Sequence, residues 1–273
     1  MTVAPNPDIC AMQIYFEQTN TSRNFQYVLQ RASYATGFAN RETLYVFEKG
    51  QTKGSYTDMT VESGAMYQYT LRNIANTTNF EGKTSSKEIC LFDAETLTAE
   101  KQTLILNLDS KITGYKRNIP ETKIETIGSQ FPFIRRNGQV NYRQFTLEGL
   151  ISILGDENYT FRKKEDIWKT AVDEQTRYPK FNQDNGISDY NDFFLEREFR
   201  NEVLNFLHKD TIKLFRSLPE GNMLVKLMDI QLTPNENLGR LIYSFSCTAY
   251  EVAEATLENM EKYNVIDRGQ NNT

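Results

Sequence analysis

The sequence predicts a mainly β protein of the α+β class. Three observations carry that expectation: short Tyr-, Phe-, Val- and Ile-rich runs over residues 9–75, period-2 alternation over Arg240–Glu251, and one long amphipathic stripe over Asp189–His208. Apolar residues at 39% and charged residues at 25% are enough to bury real cores, and 273 residues make one large or two ordinary domains.

Ala11–Phe16, Tyr27–Arg31, Thr43–Phe47 and Met66–Arg72 read as strands, because β-branched and aromatic residues fit a pleated, half-buried surface. Between the last two lies Ser55–Ala65. There Thr57–Asp58 offers side-chain oxygens to nearby backbone in a turn, Val61 drops inward and Gly64 permits a tight reversal. Tyr67, Tyr69 and Leu71 then share one face of a strand. No 3.6-residue period interrupts this region, so it reads as a small sandwich over residues 1–80.

Arg31-Ala-Ser, the Thr57-Asp58 turn, Val61, Gly64 and the Tyr67-x-Tyr69 strand together resemble the second half of a fibronectin type III domain. The resemblance covers about 50–65 residues. It departs from the family in lacking a core tryptophan here and in having few residues before Tyr27. It therefore implies a trimmed first sheet, or one completed by a neighbouring chain.

Residues 81–130 read as a β-containing connector. Asn76–Ser86 is polar and turn-like, Ile89–Phe92 and Thr103–Leu108 are strand-like, and Pro120 to Gly128 marks a loop. Residues 131–251 have another rhythm: a strand at Asn141–Leu154, an insertion over 155–188, a helix, then strands at Thr211–Arg216, Asn222–Leu232 and Arg240–Glu251. Within the insertion, Ile167/Ala171 and Trp168/Val172 lie four apart in a short helix at Glu165–Gln175, with Trp168 as a packing anchor. The stripe Leu195, Phe199, Val203, Phe206 and Leu207 buries the main helix on a sheet. In the final strand, Leu241, Tyr243, Phe245, Cys247 and Ala249 face inward. Residues 252–273 read as a helical or flexible tail with Glu251, Glu254, Glu258 and Glu261 along one face.

The order strand, helix, strand, strand, strand, ending in Tyr243-Ser-Phe-Ser-Cys-Thr-Ala-Tyr-Glu251, resembles bacteriophage distal tail and tail-tube-type proteins. Phe131-Pro-Phe-Ile-Arg-Arg-Asn-Gly-Gln-Val-Asn-Tyr-Arg-Gln-Phe145 is similar to segments of phage tail and baseplate structural proteins. The resemblance covers about 120 residues and implies a β-sandwich flanked by one helix, in copies assembled into a hexameric ring within a virion. It implies other tail or baseplate proteins as neighbours and no cofactor. The alternative is a module that binds host glycan or protein at the cell surface.

Chemistry-bearing patterns point the same way. A single histidine, His208, makes no triad, dyad or metal cluster, and its place at a helix end suits contact with the last carbonyls. Cys10, Cys90 and Cys247 are far apart and odd in number, which suits a reducing compartment. Asp184, Asp189 and Asp192 lack the order of a calcium loop, and no phosphate-binding glycine motif occurs. The expectation is no catalytic, metal or cofactor site. A net charge of −5, with −1 in residues 1–130 and −4 in 131–273, argues against tight nucleic-acid binding. No apolar run is long enough to span a bilayer, so no membrane insertion is expected. The candidate functional residues are Phe131, Phe133, Arg135, Arg136 and Tyr142, because aromatic rings and guanidinium groups concentrate in subunit interfaces.

Overall fold

A computed structural model describes residues 1–17, 25–74, 83–100, 102–106, 108–119, 121–124, 133–136, 141–152, 161–163, 200–201, 203–235 and 242–269. The chain is mainly β with few helices, of the α+β class, and its described strand pairs are antiparallel. β1 (Thr2–Asn6), β2 (Ala11–Glu17), β3 (Tyr27–Ser33), β4 (Arg41–Val46), β5 (Lys53–Asp58), β6 (Met66–Asn73) and β7 (Lys83–Ile89) divide between two sheets, ordered β1-β2-β5 and β4-β3-β6-β7. Met12, Ile14 and Phe16 of the first sheet share a core with Tyr27, Leu29, Leu44, Tyr69 and Leu71 of the second. Phe16 lies edge-on to Tyr27 at 5.6 Å and to Phe47 at 4.7 Å.

The first sheet draws three strands from this chain, and two of them precede Tyr27, where too few residues for such a sheet were expected. A single 3₁₀ turn at Pro7–Ile9, closed by Cys10 at φ +53°, reverses the chain tightly enough to fit β1 and β2 into 17 residues. The turn expected at Thr57–Asp58 begins one residue later. Thr57 stays in β5, while Asp58 Oδ1 accepts from the Thr60 amide at 2.9 Å and its hydroxyl at 2.6 Å. Val61 is fully buried, and Gly64 reverses the chain at φ +76°. The strand expected at Ile89–Phe92 lies earlier, as β7, which starts within the polar stretch Asn76–Ser86 and ends at Ile89. Its sequence, Lys-Thr-Ser-Ser-Lys-Glu-Ile, is that of an edge strand with polar groups turned to water.

Eight further strands form one sheet. β8 (Glu95–Ala99), β9 (Gln102–Leu106), β10 (Leu108–Asn118), β13 (Tyr142–Ser152), β14 (Phe161–Lys163), β15 (Lys213–Ser217), β16 (Gly221–Pro234) and β17 (Ile242–Glu254) take the order β10-β13-β17-β16-β15-β8-β9-β14. β11 (Glu121–Ile124) and β12 (Phe133–Arg136) pair separately as a two-stranded ribbon. Segment 81–130 thus supplies β7 to the sandwich and β8, β9 and β10 to the large sheet. The period-2 pattern of β17 is realised: Tyr243, Phe245, Cys247 and Ala249 are buried and their neighbours half-buried. Leu104 and Leu106 of β9 join Phe145 and Leu147 of β13 in one cluster, so the sheet curls over its inner face. A helical segment, α1 (described over residues 203–208), adds Val203, Phe206 and Leu207 to that cluster, matching the stripe read from the sequence. Leu195 and Phe199, at the start of the stripe, lie outside the described residues, as do Trp168 and the insertion's expected helix.

The opposite face of the sheet carries the sandwich. Ile105, Leu214 and Leu224 belong to the sandwich core, so β8 and β15 are covered on both sides and buried along their whole length. Arg216 of β15 fastens this contact: its fully buried guanidinium donates to the carbonyls of Cys10 at 2.6 Å and Val61 at 3.2 Å and lies over the Phe92 ring. Beside it, Asn222 Nδ2 donates to the Thr60 carbonyl at 3.0 Å.

The C-terminal segment differs from its expected helical continuation. Glu251 and Glu254 lie in β17, and the helix, α2 (Leu257–Lys262), starts later, with the Thr256 hydroxyl accepting from the Asn259 amide. Leu257, Met260 and Val265 then enter the sandwich core. The Val46 amide donates to the Arg268 carbonyl at 2.9 Å, covering the edge of β4. Gly269 sits at φ +77°, where a Cβ would fall 2.3 Å from the Val46 carbonyl oxygen, so only glycine permits this approach.

Candidate functional site

The candidate residues fall along the hairpin that runs from β10 through the ribbon to β13. Backbone register joins Asn118 to Tyr142 at the end of the stem, and Glu121 to Arg136 at the start of the ribbon. The stem is fixed by close polar contacts. Arg143 grips Glu251 of β17 through Nη2 to Oε1 at 2.7 Å and Nε to Oε2 at 2.9 Å, while its amide donates to Oε2 at 3.0 Å. These hydrogen bonds hold the Glu251 carboxyl below its ordinary value, against the opposing effect of burial, and raise the guanidinium in turn. Asn118 Nδ2 donates to Gln144 at 3.0 Å, Gln144 Nε2 donates to the Tyr250 hydroxyl at 3.2 Å, and Arg117 Nε donates to Asn141 at 2.6 Å. Tyr115 stacks on Phe145 at 6.2 Å.

Tyr142 belongs to this stem. It is half-buried, the first residue of β13, and its ring lies 6.3 Å from that of Tyr250. Phe133, Arg135 and Arg136 are brought together in β12, paired by register with Ile124, Thr122 and Glu121. Phe131 lies outside the described residues. Ile134, 60% exposed, and Ile124, 42% exposed, occupy adjacent cross-strand pairs, which in an antiparallel ribbon face opposite sides. The ribbon therefore has apolar groups in water on both faces. Sequence reading missed Arg143, whose partner is 108 residues away. The Arg-Gln-Phe145 continuation of the aromatic segment was its only local sign.

Of the other titratable groups, a few lie in the interior. His208 is exposed at the end of α1. The side chain that reaches the helix-end carbonyls is Lys213, whose ammonium donates to the Lys209 carbonyl at 3.1 Å and the Thr211 carbonyl at 3.3 Å, 5.3 Å from the Phe206 ring. Burial pushes Lys213 down to about 8 from its ordinary 10.5. The unfolded chain then holds a proton that the folded chain has released over that interval, so stability rises with pH from 8 to 10.5. The unfolding free energy in urea is expected to climb by about 1 kcal/mol per pH unit within it. Lys213→Met should flatten that climb; equal slopes in the two proteins would count against it. Burial also pushes Cys10 and Cys247 up to about 12, so both stay as thiols at neutral pH.

Among the described residues no three His, Cys, Asp or Glu side chains lie grouped to hold a metal ion. Asp184, Asp189 and Asp192 lie outside them. No described helix is long and apolar enough to cross a membrane. Comparison with protein-family models and with curated proteins finds no match to the chain.

Proposed function

We propose that this chain is a structural protein of a phage tail or baseplate, in which copies join into a ring, six being the number the resemblance implies. The observation that carries the reading is the edge of the large sheet: β10, an eleven-residue strand, is terminal among the described strands and leads toward the ribbon. Terminal strands offer backbone donors and acceptors to a neighbour, and repeated head-to-tail contacts close into rings. The N-terminal region supports a fibronectin type III-like module. Its strands divide three on four, and the Tyr67 hydroxyl accepts from the Glu62 amide at 3.1 Å, as a tyrosine corner does. Neighbouring tail proteins would then be the partners, without catalysis, cofactor or tight nucleic-acid binding. Negative-stain microscopy and light scattering on the purified full chain test this. Closed rings are the expected result, and a monomer at every concentration would overturn it.

One observation favours the second reading, a module that binds host glycan or protein. At the turn between β3 and β4, Tyr34 is 67% exposed beside Phe38, a bulky residue held at φ +61°. Such strain in an exposed aromatic turn marks a candidate contact site. A monomer whose affinity for a glycan array is lost on Tyr34→Ala would establish that reading instead.

A further inference from the structure

We infer that Leu91 and Leu218 centre a docking surface for a polypeptide segment of another protein, one that sets aliphatic side chains between lysines or arginines. The surface spans the junction of the sandwich and the large sheet. Leu91 follows β7, Leu218 lies in the turn between β15 and β16, and they are 60% and 47% exposed. Both reach over Gly64: a Cβ at that glycine would lie 3.7 Å from Leu91 Cδ1 and 3.9 Å from Leu218 Cδ1. Two bulky aliphatic groups from distant parts of the chain thus meet in water, where single scattered ones would be ordinary. The floor beneath them is fixed in advance. The Gly64 amide donates to the Cys90 carbonyl at 2.9 Å, the Phe92 amide donates to Ser63 Oγ at 2.9 Å, and that hydroxyl donates back to the Phe92 carbonyl. Arg216 and Asn222 hold the neighbouring Val61 and Thr60 carbonyls. A surface tied at so many points loses little freedom on binding.

Charge selects the occupant. Residues 60–66, 88–93 and 217–222, which build the surface, carry Glu62, Glu88, Asp93 and Glu220 and no Lys or Arg. Glu62 Oε1 sits against the turn, 3.1 Å from where a Cβ on Gly221 would stand. Among the described residues no ion pair joins these four carboxylates to a cation. Arg143, which donates to the Glu220 carbonyl, is already paired with Glu251. The carboxylates repel nucleic acid and anionic lipid, and they oppose contact of the surface with its own image across a two-fold axis. An aliphatic anchor flanked by cations is the complement. Each single copy presents the whole surface, so docking does not depend on ring closure.

Fluorescence anisotropy on the full-length protein tests this with a labelled short peptide alternating leucine and lysine, and with its leucine–glutamate counterpart. Leu91→Asp/Leu218→Asp removes the apolar centre, and Glu62→Gln/Asp93→Asn removes charge alone; all four side chains are exposed, so the buried core is left intact. A photoreactive phenylalanine in place of Leu218 reports contact. The expected results are saturable binding of the lysine peptide only, a dissociation constant raised roughly tenfold or more in each variant, and a peptide adduct from position Leu218. The same probe in place of Tyr15, another exposed apolar residue, should give none. Equal affinities in the wild type and Leu91→Asp/Leu218→Asp, or equal binding of the two peptides, overturn the inference. A lower assembly mass by light scattering in the leucine variant assigns the surface to contact between copies and also overturns it. Should the leucine variant unfold, an unchanged dissociation constant in Glu62→Gln/Asp93→Asn is enough to reject it.

Discussion

Asp58→Ala is expected to cost the fold about 3–5 kcal/mol, because it removes the buried partner of the Arg31 guanidinium and leaves it only the exposed Glu42 carboxylate at 3.7 Å. Arg31 of β3 and Asp58 of β5 meet at 2.9 Å with side-chain exposures of 9% and 0%. The Arg31 guanidinium also donates to the Thr60 hydroxyl at 2.7 Å and lies over the Tyr67 ring at 4.8 Å, while the Tyr69 hydroxyl donates to Asp58 at 3.0 Å. Burial by itself would raise the Asp58 carboxyl; Arg31 and the bonds from Thr60 and Tyr69 outweigh it and hold the group below its ordinary 3.8. A depressed carboxyl contributes stability that is complete above the unfolded value and is lost as pH falls through the lower folded one. The pair is therefore fully formed at neutral pH, and its loss belongs to the acid limb below 3.8. Removing both partners, as Asp58→Ala/Arg31→Met, should cost clearly less than the sum of the single losses, since no charge is then left unpaired. Urea unfolding of the three variants measures this. Additive losses, or a single-variant cost below about 1 kcal/mol, would show that the pair is solvated in the folded chain.

That ion pair was not legible in the sequence, and the reason is general. Arg31 and Asp58 were each singled out, one in a strand and one in a turn, but only the packing of β3 against β5 puts them in contact. What was legible is whatever one strand displays along its own length. Tyr67, Tyr69 and Leu71, and Tyr243 through Ala249, each have one buried face, so their alternation survives in the sequence. β8 and β15 are covered on both faces and lose that alternation, which hides β8 altogether. β1 and β7 fail for the opposite reason: at sheet edges, polar residues such as Asn6, Ser85 and Ser86 are tolerated and look like turn formers.

The candidate interface divides in the same way. Its aromatic and arginine content was visible over Phe131–Tyr142, because that composition is unusual for a linker. That Phe133, Arg135 and Arg136 share a ribbon and Tyr142 a stem depends on register, which follows from pairing over many residues rather than from any local motif. Arg143–Glu251, which anchors the stem to β17, joins residues that no window of the sequence contains.

Phe206→Ala is expected to lower the stability of the C-terminal unit by about 3–5 kcal/mol, comparable to the loss of the buried pair. Phe206 is 5% exposed and packs with Val203 and Leu207 into the inner face of the curled sheet, against a cluster that includes Phe145, Phe215 and Phe245. The strands are already closed around that face, so backbone collapse into the vacated volume is resisted and the cavity cost adds to the lost transfer free energy. A second effect follows from the Lys213 ammonium, 5.3 Å from the ring. With the aromatic face gone, the charge keeps its bonds to the Lys209 and Thr211 carbonyls but loses a favourable quadrupole, worth about 0.5–2 kcal/mol. Phe206→Leu separates the two contributions: it restores most of the volume and none of the ring, so it should recover the larger part of the loss. Denaturant midpoints for both variants, read with and without Lys213→Met, decide the matter. If Phe206→Ala left the midpoint unchanged, α1 would not be seated on the sheet, and the stripe from Leu195 to Leu207 would be free to serve a partner instead.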